Sequence, residues 1–232
     1  MEYVLIICIS IITLIILKFA WNIKIKDPKR LKELGYDKKL NEITNKLPEN
    51  KKVCEEILKI LGKEDVKIEE SQTNQASLYM VLSNSIIIAN IKNTFTRIQT
   101  IAHECLHSVQ NKRTLVFNFV FSNIYIIYFI TIIILTILKL NTYKMLCLFV
   151  LVILGFIQYA VRSYLEMDAM TKAKPLAKEY FEQDGSLNPI DQINILNNYE
   201  IINNIGIKLS NYNLILNQVV KIIIYMAICI VF

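Results

Sequence analysis

Histidine occurs only twice in this 232-residue sequence, at His103 and His107, and Glu104 follows the first directly. The surrounding stretch, residues 100–110, reads TIAHECLHSVQ and contains an H-E-x-x-H pattern. On a helix, side chains four apart share a face, so both imidazoles can reach one metal ion. The glutamate between them is then placed to polarise water held by that metal. Two histidines of a surface or a core would need neither this spacing nor the adjacent acid.

A helix must carry these groups, and the flanking residues predict one. Ile98, Ile101, Ala102, Cys105, Leu106 and Val109 follow the i, i+3, i+4 rhythm of a buried face, with the histidines roughly opposite its centre. Upstream, KKVCEEILKILG (residues 51–62) reads as an amphipathic helix that stops at Gly62. Val66 to Ile68 alternates like a short strand, and SLYMVLSNSIIIA (residues 77–89) reads as two strands around a turn. These pieces make residues 51–113 a small α+β half-domain that lacks a full core of its own.

Much of the rest belongs in a membrane. Residues 1–21 form an apolar stretch of spanning length and read as an uncleaved anchor, because Glu2 opens the chain and the lysines come afterwards. Lys18, Lys24, Lys26, Lys29, Arg30 and Lys32 cluster after that span, which places this end in the cytoplasm by the positive-inside rule. Residues 22–50 read as a basic linker with short helical pieces. Residues 114–161 hold two apolar runs around a short polar break, a transmembrane hairpin that returns the chain to the side it left. Residues 162–212 form the second half of that domain, helical until a kink or break near Pro175. Residues 213–232 are an apolar helix interrupted by Asn217, Gln218 and Lys221, and read as a fourth span with Lys221 snorkelling. Arg97 before the motif and Lys112-Arg113 after it keep the motif helix out of the bilayer. The formal charge of +6 is membrane-flanking, and no nucleic-acid motif accompanies it.

Catalytic zinc takes three protein ligands and leaves a place for water. No histidine remains, and no cysteine fits: Cys8, Cys147 and Cys229 lie in apolar runs, while Cys54 and Cys105 stand alone. The third ligand is therefore a carboxylate. The metzincin continuation fails, since Gln110 and Arg113 stand where Gly and His are required. Glu166 and Asp168 are the acids nearest the returning end of the hairpin, Glu166 as the ligand and Asp168 as a partner that orients one. Their spacing alone fits two solvated helix charges equally well.

Taken in order, EEILKILGKEDVKIEE, SNSIIIA, TIAHECLHSVQ, YLEMDAMTKA and NQVVKIIIYMA resemble the membrane-bound neutral zinc metallopeptidases of the YugP-like family. The H-E-x-x-H and E-x-D-A pieces carry most of that resemblance. The chain departs from the family at Leu106, where glycine is usual, and at Ala76 to Tyr79, where the family has a turn bearing His and Asp. The resemblance implies zinc held by His103, His107 and Glu166, with Glu104 as general base. It implies a mainly α integral membrane protein with a small β region, whose split, zincin-like catalytic domain is joined by the transmembrane hairpin. The activity implied is hydrolysis of peptide bonds, as an endopeptidase facing the cytoplasm from the cell membrane. Tyr159, Tyr164 and Tyr180 are candidates for stabilising an oxyanion. The alternative expectation is a catalytically inactive membrane scaffold or accessory protein that keeps the fold.

Overall fold

Long apolar stretches have nowhere to satisfy their backbone except in themselves, and here every one of them is helical. The computed structural model describes residues 2–74, 76–91 and 94–232. In chain order they form α1 (Glu2–Ala20), α2 (Asp27–Gly35), α3 (Lys38–Thr44), α4 (Asn50–Ile60), β1 (Lys67–Glu70), β2 (Leu78–Met80) and β3 (Ser85–Ile88). Then follow α5 (Arg97–Val109), α6 (Lys112–Ile137), α7 (Lys144–Asp184) and α8 (Pro189–Val231). The protein is mainly helical with one small sheet. Four helices, α1, α6, α7 and α8, are long and apolar enough to cross a membrane.

The chain packs as two units, one of them formed by Met1–Lys24, Phe117–Tyr164 and Lys208–Phe232. Its core joins Tyr125 and Ile132 of α6, Leu148 and Leu151 of α7, and Tyr225, Met226 and Cys229 of α8, with Tyr3, Ile6 and Ile7 of α1 against them. Outward, Leu5, Ile16, Phe19, Ile127 and Phe156 are all exposed. Helices apolar on every face are built for a solvent other than water. Polar side chains tie the helices together: Tyr128 donates to the Cys147 carbonyl at 2.9 Å, and Gln158 Nε2 donates to Ser122 Oγ at 2.6 Å.

The other unit comprises Ile25–Val116 and Leu165–Ile207. Its sheet has the order β1-β3-β2, with β1 parallel to β3 and β2 antiparallel to it, Tyr79 opposite Ile86. Short as it is, the sheet gives α5 a surface to lie on: Ile86 and Ile88 share the core with Ile98, Ile101, Ala102, Cys105 and Leu106. From α4 come Val53, Cys54, Ile57 and Leu58, and Cys54 Sγ lies 3.6 Å from Cys105 Sγ as a buried thiol pair. α7 brings Ala169, Ala173 and Ala177, a four-residue repeat of small side chains that permits a close helix approach. Gly62, at φ 64°, turns the chain out of α4, and the Lys63 N–H closes that turn on the Leu58 carbonyl at 2.8 Å.

Several segments differ from the sequence expectation. Residues 22–50 carry more than a spacer: Leu40 and Leu47 belong to the core. α7 continues through Pro175, because Ala173, Leu176 and Ala177 on both sides of it are held in the same core. α8 starts at Pro189, well before the apolar tail, since Ile195, Leu196 and Tyr199 form a buried stripe among poor helix formers. Val109 is 41% exposed and falls off the buried face of α5. Arg97 marks no surface either. It is 2% exposed, and its guanidinium donates to the carbonyls of Thr44, Leu47 and Pro48 and to Asn50 Oδ1, at 2.8–3.0 Å.

Candidate metal centre

α5 delivers the motif as one helical turn, and its ends are fixed by different means. At the start, Arg97 locks the helix to the corner between α3 and α4. At the end, Gln110 leaves the helix with φ −67° and ψ 162°, which turns its side chain back towards His107. The Gln110 amide donates through Nε2 to the Leu165 carbonyl at 2.8 Å and to Asp168 Oδ2 at 3.0 Å. Its Oε1 therefore remains as the acceptor, 2.8 Å from His107 Nδ1. That contact makes Nδ1 the protonated nitrogen of His107 and leaves the Nε2 lone pair free.

The free nitrogen has company. His107 Nε2 lies 3.2 Å from His103 Nε2, with the two rings perpendicular, and His103 Nε2 lies 3.4 Å from Glu166 Oε2. All three ligand atoms fall within 4.8 Å of one another. Two donors each about 2.0–2.1 Å from one tetrahedral ion stand about 3.3 Å apart, so the two nearest separations have the size a shared ion requires. Two imidazoles and a carboxylate also suit a divalent transition metal chemically. The cluster of His103, His107 and Glu166 could hold a metal ion.

Glu104 is buried beside this cluster, 8% exposed, and accepts a hydrogen bond from the Tyr79 backbone N–H. β2 is an edge strand that pairs only with β3, so this N–H belongs to its unpaired edge. Burial pushes the Glu104 carboxyl up to about 7; His103 opposes the rise, Glu166 adds to it, and the Tyr79 N–H holds it down. Burial works against a charge on His103, yet its hydrogen bond to Glu166 and the charges of Glu104 and Glu166 raise its pKa overall. His107 goes the other way, lowered by burial and by His103. Lys172 holds the Asp168 carboxyl below its usual range, with burial opposing and Gln110 assisting.

The structure thus brings together His103, Glu104, His107 and Glu166, and it puts Asp168 one glutamine away from His107. Tyr180 does not join them. It lies fourteen residues beyond Glu166 on the same helix, about 21 Å along the axis, with its side chain in the core. Tyr164 is exposed and belongs to the other unit, as does Tyr159. The sequence alone assigns Gln110 no role in the site, although it closes the TIAHECLHSVQ stretch that carries the resemblance. No protein-family model, curated protein or solved structure matches the chain.

Proposed function

We propose that the chain is a membrane-embedded zinc metallopeptidase of the YugP-like kind, with a split zincin-like catalytic domain. The observation that carries this reading is Glu166: a carboxylate from α7 lies 3.4 Å from His103 and within 4.8 Å of both histidines of an H-E-x-x-H helix. Histidines at i and i+4 meet through helix spacing alone. A third donor from a distant helix needs the tertiary fold.

Bound zinc would polarise a peptide carbonyl and acidify water in its open position. His103, His107 and Glu166 would hold it, and Gln110 with Asp168 keeps the His107 proton on Nδ1 so that Nε2 can donate. Glu104 is the residue that moves protons. It takes one from the attacking water and gives it to the leaving amine, a transfer suited to a buried carboxylate anchored by a backbone N–H. α1, α6, α7 and α8 serve as membrane spans, and the basic cluster after α1 sets the catalytic part on the cytoplasmic side. Even numbers of crossings between His103 and Glu166 keep both on one side.

The test is turnover of a quenched-fluorescent peptide library by the purified protein in detergent. Cleavage should be seen with the wild type and lost in Glu104→Gln. Equal cleavage by both would remove Glu104 from the chemistry. A zinc-loaded wild type that cleaves nothing would instead favour a non-enzymatic scaffold.

A further inference from the structure

Among the described residues, Lys221 is a cation with no carboxylate partner. The unit that contains it, Met1–Lys24, Phe117–Tyr164 and Lys208–Phe232, carries a single acidic residue, Glu2, in the first turn of α1. Lys221 sits midway along the part of α8 that runs beside α1. Tyr212 meets Trp21, past one end of α1, with ring centroids 6.5 Å apart. Cys229 shares a cluster with Tyr3 at the other end. At 1.5 Å per residue, Lys221 is about 13 Å from either limit. Tyr125, midway along α6, lies at the same level, and its ring centroid is 5.1 Å from the Lys221 ammonium.

The ammonium has partners, but none among the described residues is charged. It donates to the Asn217 carbonyl of its own helix at 3.3 Å and rests over the Tyr125 ring. That tyrosine is buried, and a Cβ on Gly155 would come 3.0 Å from its hydroxyl. The Lys221 side chain lies over the ring and is itself only half-buried. A lysine near a helix end escapes by snorkelling, but from the middle of a span its stem of about 6 Å falls short of the interface.

We propose that Lys221 is the docking point for a transmembrane helix of a partner protein carrying an Asp or Glu near its middle. Charge complementarity selects that occupant. Lipid phosphates and fatty-acid carboxylates sit at the surface of a hydrocarbon core about 30 Å thick, about 15 Å from this level. A second copy of the chain would bring another Lys221 and no acid. An ionisable group at mid-bilayer is costly unless paired, and a carboxylate on another helix is the group that pairs it at that depth. This inference rests on the membrane reading of the four helices and is independent of hydrolysis.

The experiment uses the full chain, donor-labelled and reconstituted in phosphatidylcholine vesicles. The probe is a synthetic leucine-rich transmembrane peptide with one central Asp and an acceptor dye; its control has Asn at that position. Energy transfer should show the Asp peptide associating about tenfold more tightly than the Asn peptide. Lys221→Arg should keep that preference, and Lys221→Met, which only lightens the span, should erase it. Equal association of both peptides, or a preference that survives Lys221→Met, would overturn the proposal. So would displacement of the Asp peptide by oleate, or self-association of the chain that depends on Lys221. Flotation separates the two readings: protein that does not float with the vesicles defeats the membrane reading as well, whereas floating protein without a preference defeats this one alone.

Discussion

Gln110 decides what His107 can do. A neutral imidazole offers one lone pair, and the side that donates is chosen by the hydrogen bond on the other side. Here the Gln110 amide is fixed by the Leu165 carbonyl and Asp168, so Oε1 must face Nδ1. Replacing Gln110 with Leu should leave the helical content unchanged and weaken zinc binding by about 10–100-fold, measured against a competing chelator. Unaltered affinity would deny Gln110 its positioning role. By contrast, Glu104→Gln should retain zinc while cutting peptide turnover by about a hundred- to ten-thousandfold, since a general base contributes on that scale. Of these residues, the sequence made His103, Glu104 and His107 legible because they lie within one turn. Glu166 was legible as the ligand only through its place at the returning end of the hairpin, where its spacing fitted a solvated helix charge equally well. Gln110 stayed hidden, since its meaning depends on Asp168, which is 58 residues away.

At the scale of elements, α5 is held where it is by an arginine that has no carboxylate among its hydrogen-bond partners. Arg97 satisfies three main-chain carbonyls and the Asn50 side chain, all gathered from the α3–α4 corner. Arg97→Met should cost about 3 kcal/mol, because carbonyls buried with the arginine lose charge-assisted hydrogen bonds. Denaturant or thermal unfolding of the purified protein measures it, and a change well under 1 kcal/mol would mean that water replaces the guanidinium. Periodicity could not reveal this, since a charged residue at the start of a helix normally reads as its solvated end. Periodicity did give the motif helix, the amphipathic α4 and the strands, where apolar spacing is regular over several residues. It failed along α8, where asparagines dilute a buried stripe of Ile195, Leu196 and Tyr199, and at Pro175, where core packing on both sides outweighs one lost hydrogen bond.

Across the whole molecule, the segment between the candidate ligands matters as much as they do. His103 and Glu166 belong to one unit, yet most of the chain between them, Phe117–Tyr164, belongs to the other. The membrane reading makes that stretch two crossings. In intact cells, a thiol reagent that cannot pass membranes should label Leu140→Cys, at the exposed turn between α6 and α7, and spare Lys112→Cys and Lys178→Cys. The background should be Cys8→Ser, since Cys8 is exposed. Labelling of only one of the two lysine positions would contradict a shared side; the reverse pattern would put the site on the outer face. Whether these two distant pieces close around zinc is read from the metal content of the purified protein. About one zinc per chain is expected, lost in His103→Ala and in Glu166→Ala and kept in Glu104→Gln. A folded wild type without metal, or zinc that survives Glu166→Ala undiminished, would contradict it.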